Sequence, residues 1–153
     1  MVSSLRGLIV SKSDLIFTNG CFDILHLGHV ELLKFCKDLG NVIVGLNSDS
    51  SIRKLKGKSR PIFSQHERKA LLESIKFVDQ VVIFDEETPY RLIQEIRPTI
   101  IVKGGDYKHS EVIGSDIAPV KIFNYLEGHS TSLAIDKILS GRESDYGILR
   151  GKN

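Results

Sequence analysis

Apolar residues fall along this chain in two alternating rhythms. One is the short unbroken run. Leu15-Ile16-Phe17-Thr18-Asn19 before Gly20, Asn41–Asn47, Val81-Val82-Ile83-Phe84, Thr99-Ile100-Ile101-Val102 and Val120-Lys121-Ile122-Phe123 each read as a strand. The second of these is apolar on both faces in its middle, which a sheet covered on both sides requires. The other rhythm has the helical period. From His29 onward Leu32, Phe35, Cys36 and Leu39 recur on one face, and Gly40 supplies the stop. Ser64-Gln65-His66-Glu67 spells a capping box, followed by a stripe of Leu71, Leu72, Ile75 and Val78. Thr88-Pro89 predicts an N-cap with Pro at the first helical position, ahead of Leu92, Ile93 and Ile96, and Pro98 bars continuation. Ser130 or Thr131 is expected to cap a last helix with Ala134, Ile135, Ile138 and Leu139 inside and Gly141 after it. The polar, basic stretch 48–63 predicts a short helix and then a mobile loop.

Strands alternating with helices predict an α/β architecture, a Rossmann-like open parallel five-stranded sheet with helices on both faces. With 153 residues the expectation is one domain, over 1–141, followed by a polar tail over 142–153 that is loose or packed only in an oligomer. In such sheets ligands sit at the carboxyl ends of the strands, near the switch in strand order. Residues after strands one, two, four and five therefore become the candidates.

Lys plus Arg is 21 against 19 for Asp plus Glu, a net charge of +2 that excludes a polyanion binder working by bulk charge. No nucleic-acid partner is expected, but a small local anion site remains open. Cys21 and Cys36 lack Cys-x-x-Cys spacing and read as reduced thiols. With no apolar stretch of membrane-span length and no signal-peptide pattern, the expected location is the cytoplasm, away from membranes.

Gly57-Lys58-Ser59 resembles the end of a P-loop, but Ile52 stands where that motif needs its first Gly. The first strand leads into Thr18-Asn19-Gly20-Cys21-Phe22-Asp23-Ile24-Leu25-His26-Leu27-Gly28-His29. Here two histidines flank Gly28 at the start of a helix, where unpaired N–H groups and the positive dipole end attract phosphate. Gly28 permits close backbone approach. Imidazole donors aimed the same way would hold polyphosphate oxygens as charge builds in a transition state. A metal site is the weaker reading, because His26 and His29 have no third ligand nearby, and no metal ligand is assigned. Lys54, Lys56, Lys58 and Arg60 form either a solvated face or a cationic flap over phosphates, with Lys56 before Gly57 the foremost candidate. Lys103-Gly104-Gly105-Asp106-Tyr107 is either a tight turn or a place where a nucleobase or sugar meets the backbone. Glu127-Gly128-His129-Ser130-Thr131-Ser132 opens the last helix and offers a second anion pocket beyond mere capping.

Together these segments resemble the cytidylyltransferase-like nucleotidyltransferase superfamily, marked by a His-x-Gly-His signature, over about residues 15–139. Within it, Thr18 to His26, Leu55-Lys56-Gly57-Lys58-Ser59-Arg60-Pro61 and Val102 to Tyr107 are most similar to the adenylyltransferase domain of the heptose-phosphate enzymes. Tyr125, and Gly104-Gly105-Asp106-Tyr107 in place of Gly-Asp-Asp-Trp, separate the chain from glycerol-3-phosphate cytidylyltransferases.

The resemblance implies transfer of the AMP of ATP to D-glycero-β-D-manno-heptose 1-phosphate, with release of pyrophosphate and formation of ADP-heptose. It implies His26, His29 and Lys56 as catalytic residues, with Lys58 assisting. Asn19, Gly20, Cys21, Phe22, Gly28 and Lys103 would meet the nucleotide, with Gly104, Asp106 and Tyr107 near base and ribose. Glu127, Gly128, Ser130, Thr131 and Ser132 would bind base and triphosphate, while Asp23, Lys56 and Arg60 would take the acceptor. It further implies a Mg²⁺ ion held mainly through nucleotide phosphates, and a homodimer. Two other readings stay open: a transferase using CTP and a polyol phosphate, and a non-catalytic nucleotide-binding regulatory module.

Overall fold

The computed structural model describes residues 14–105, 107–124 and 128–140. Five strands form one sheet: β1 (Leu15–Gly20), β2 (Asn41–Asn47), β3 (Gln80–Phe84), β4 (Ile100–Gly104) and β5 (Val120–Phe123). Their spatial order is β3-β2-β1-β4-β5, and every pairing is parallel. The chain therefore winds outward one way from β1, returns, and winds the other way from β4. The switch between β1 and β4 leaves a crevice at the carboxyl end of the sheet.

Alternation along the strands builds two cores. Ile16, Val42 and Val44 face α1 (Leu27–Leu39) and α3 (Gln65–Glu73), through Leu32, Leu33, Cys36 and Leu72. Phe17, Ile43 and Ile101 face the other way, onto Leu92 and Ile93 of α4 (Tyr90–Ile96) with Val112 and Ala118. Helices thus cover both faces of the sheet, as the fully apolar middle of β2 requires. Among the described residues no helix is long and apolar enough to cross a membrane.

Four local expectations are corrected. The basic stretch after β2 puts Lys54 and Lys56 on a helix, α2 (Asp49–Lys56), capped by Ser48, and the loop after it is pinned rather than free. The capping box at Ser64 is present, but α3 ends at Glu73, so Ile75 and Val78 reach the core from the turns beyond it. Leu71 is exposed, because Arg68 and Leu72, one turn apart, occupy the inward face. Thr88 does not cap α4. Pro89 is the N-cap, its carbonyl accepting from the Ile93 amide at 2.9 Å.

The last helix, α5 (Thr131–Leu139), differs most from expectation. Ser130 caps it by accepting from the Leu133 amide, yet Ile138 and Leu139 are 73% and 78% exposed rather than inside. Its apolar stripe is real, but no described element packs over its far end. Gly141 and the tail lie outside the described residues.

Candidate active site

β1 ends at Gly20, and the chain turns through Phe22 into α1. Phe22 has φ of 45°, left-handed territory that is strained for an aromatic residue and costs of order 1–3 kcal/mol. The turn buries its ring, which rests against the His29 imidazole at a centroid distance of 4.9 Å. His26 is the N-cap of α1 with extended backbone, φ −141° and ψ 172°. Its carbonyl accepts from the amides of His29 at 3.0 Å and Val30 at 3.3 Å, while its side chain makes no capping bond.

The imidazole is thereby left for the cleft. It stacks on His29 with centroids 3.7 Å apart and planes 22° from parallel. Gly28 is the condition for this, since a Cβ there would stand 3.0 Å from the His26 ring. The close approach expected at Gly28 is therefore first of all an approach by His26 itself.

Burial holds both imidazoles neutral. It lowers the His26 pKa, and the charge of His129 adds to that. The pKa of His29 is pushed down to about 3, by burial first and then by His26 and Lys56. Nδ1 of each ring is buried and has no hydrogen-bond partner among the described residues. A neutral imidazole donates one N–H and accepts at the other nitrogen. Two such rings, parallel and partnerless, are prepared to meet an external acceptor.

A second assembly fixes the loop around this pair. Asp23, 1% exposed, accepts from Arg60 Nε at 2.7 Å and from the amides of Ile62 at 2.9 Å and Phe63 at 3.0 Å. Burial alone would raise its pKa, but the Phe63 and Ile62 amides and Arg60 together bring it below the usual value. The Asp23 carboxylate is thus engaged by the 60–63 loop. Arg60 lines the cleft, its second terminal nitrogen buried without a partner among the described residues.

Arg68, fully buried, is not among the sequence candidates. It donates to the carbonyls of Cys21 at 2.7 Å, Asn47 at 2.8 Å and Phe63 at 3.0 Å, and to Asp49 Oδ1 at 2.8 Å. One guanidinium so ties the ends of β1 and β2 to α2 and the loop. The available signal was a basic residue on the inward face of α3, one turn before Leu72.

The cleft, about 660 Å³, opens over the carboxyl ends of the central strands. From the β1 turn and α1, Asn19, Gly20, Cys21, Phe22, Asp23, His26, Gly28 and His29 line it. Lys56 and Arg60 join from α2 and the loop, and Ser130, Thr131 and Ser132 from the start of α5. Thr131 Oγ1 donates to the Ile24 carbonyl at 3.4 Å, which seats α5 beside the β1 turn. After β4, Lys103, Gly104 and Tyr107 line the cleft, with Lys103 Nζ 5.6 Å from the centre of the Tyr107 ring. Burial lowers the Lys103 pKa against a small opposing pull from Cys21.

Lys58 and Gly128 do not line the cleft, and Asp106 and Glu127 lie outside the described residues. Sequence reasoning also missed one wall. Glu87, Thr88 and Pro89 come after β3, a strand end absent from the candidates, and residues 111–113 also line the cleft.

The candidate site is thus a crevice at the switch point of a β3-β2-β1-β4-β5 sheet with a His-x-Gly-His helix start at its mouth. Residues 17–122 match the Cytidylyltransferase-like family, and the chain belongs to it. Two proteins named bifunctional protein HldE, from Nitratiruptor sp. and Wolinella succinogenes, are each 56% identical to it. The matches span 82% and 81% of this chain but 28% and 27% of those proteins, so the chain spans little over a quarter of their length. Among solved structures, the lipopolysaccharide core biosynthesis protein of Thermoplasma volcanium is similar at 35% identity and a TM-score of 0.61, over 72% of this chain and 94% of that one.

Proposed function

We propose that this chain joins D-glycero-β-D-manno-heptose 1-phosphate to the AMP of ATP, giving ADP-heptose and pyrophosphate. The observation that carries the transfer chemistry is the stacked, neutral His26–His29 pair in the switch-point cleft beside Lys56. The named sugar rests on the three motif segments and on the 56% identity to proteins called HldE.

A phosphate oxygen of the sugar attacks the α-phosphorus of ATP in line. The bond from the α-phosphorus to the α–β bridging oxygen breaks, and pyrophosphate leaves with the electron pair. The nucleophile is already ionised at neutral pH, so positioning and charge stabilisation do the work. His26 donates to the α-phosphate, and His29 with the first amides of α1 holds the β- and γ-phosphates. Lys56 lies between the two reacting phosphates. Being neutral, the histidines add directional hydrogen bonds without repelling each other, and Lys56 supplies the positive charge. Lys103, Gly104 and Tyr107 face the nucleoside, and Ser130 to Ser132 flank the triphosphate.

Among the described residues no group of three or more His, Cys, Asp and Glu side chains converges as a metal cage. A Mg²⁺ ion would enter with the triphosphate, held mainly through its phosphates, and would supply further charge neutralisation. Pyrophosphate release, measured for ATP, CTP, GTP and UTP against heptose 1-phosphate and glycerol 3-phosphate, tests the reading. ATP with heptose 1-phosphate is expected to turn over fastest. Preference for CTP with glycerol 3-phosphate, or nucleotide binding without pyrophosphate release, would overturn it.

A further inference from the structure

The wall beyond β3 has no role in the proposed transfer chemistry. We infer that Glu87, Thr88 and Asn47 form the part of the cleft that recognises the hydroxyl groups of a polyhydroxylated acceptor. This rests on the proposed transfer to a sugar phosphate and names the residues that read the sugar.

A carboxylate in a cleft shaped for phosphates repels them, so each one needs another partner. Asp23 is taken by Arg60, Ile62 and Phe63, and Glu111 pairs with Lys108 at 3.9 Å. Glu87 lines the same cleft, is exposed, and has no hydrogen bond or ion pair among the described residues. Sugar hydroxyls are donors that a free carboxylate accepts well, two at a time.

Asn47 gives its amide N–H to Ser51 Oγ at 3.0 Å, which leaves its side-chain oxygen without a protein donor among the described residues. Thr88 lines the cleft with a hydroxyl that bonds nothing in the described protein. Glu87, Thr88 and Asn47 thus all offer acceptors, and a polyol presents donors.

The Glu86 carbonyl accepts from Ser51 Oγ at 2.9 Å, Asp85 from Ser50 Oγ at 3.3 Å, and the Phe84 carbonyl from the Ser48 amide at 2.9 Å. The loop carrying Glu87 is therefore bound to the first turn of α2, whose last residue is Lys56. One short helix holds the hydroxyl-reading wall at its start and the phosphate-reading lysine at its end. A sugar 1-phosphate carries those two chemistries at its two ends.

Steady-state kinetics of the full chain with Mg·ATP and D-glycero-β-D-manno-heptose 1-phosphate tests this. Glu87→Gln and Thr88→Val should each raise KM for the sugar phosphate about tenfold, the scale of one lost hydrogen bond to a charged or buried partner. The KM for ATP and kcat should stay within about twofold, the signature of lost ground-state binding. An unchanged sugar KM in both variants overturns this assignment and leaves the transfer reading standing. A rise in the Mg²⁺ requirement or in KM for ATP instead overturns it in favour of a metal or nucleotide contact. No turnover of heptose 1-phosphate by the unaltered chain overturns both readings together.

Discussion

At a spacing of 3.7 Å, two imidazolium charges would repel by about 4 kcal/mol even in a medium as polarisable as a protein surface. Burial removes that conflict by keeping His26 and His29 neutral. Replacing His29 by Ala should lower turnover by roughly two to three orders of magnitude, the usual cost of one preorganised donor, with the protein still folded by circular dichroism. Near-normal turnover would remove His29 from the mechanism. The same burial links folding to pH. In the fold His29 holds its proton only below about 3, against an ordinary value of 6.5. Between those values the unfolded chain binds up to one more proton, so His29 contributes stability above pH 6.5 that is lost as pH falls toward 3. Urea unfolding from pH 7 to about pH 4 should show that slope, and His29→Asn should flatten it. The pair itself was legible from His-x-Gly-His at a strand–helix junction. Its stacking and its burial, which keeps it neutral, were not, since ring orientation depends on Phe22 and Gly28 packing around it.

Among the elements, α3 shows where periodicity misleads. Its apolar stripe named Leu71, but the face that turns inward carries Arg68. A helix face is chosen by everything that packs on it, and four acceptors around one guanidinium outweigh one leucine. Arg68→Met should destabilise the fold by about 3–5 kcal/mol, the cost of leaving buried acceptors and Asp49 without their cation. Chemical denaturation measures it, and a loss under about 1 kcal/mol would show that water replaces the guanidinium. The α2 segment teaches the same lesson from the other side. A run of cations from Lys54 to Arg60 read as either a solvated face or a mobile flap, yet an N-cap at Ser48 and a latch at Asp23 give it fixed geometry. A latch between residues 23 and 60–63 has no sequence signature, because each partner is unremarkable alone.

For the whole molecule, the sheet order gathers one cleft from segments far apart in the chain, from Asn19 to Ser132. A ligand bridging them must stabilise the fold as a unit. ATP at about one hundred times its dissociation constant should add about 2.7 kcal/mol. In a thermal melt that is a rise of roughly 5–10 °C for a chain of this size. Adenosine at the same concentration should do much less, and an equal shift would place the binding energy outside the phosphate contacts. Strand positions, the parallel class and the candidate segments following β1, β2, β4 and β5 were legible in the sequence alone, because hydrophobic period and capping chemistry are local and recur wherever the chain must bury one face. Which strand ends converge, that Asp23 closes on the loop, that Arg68 is buried and that Glu87 enters the cleft were decided only by tertiary structure. Those depend on long-range packing at a switch between β1 and β4, and no local pattern encodes a distance across it.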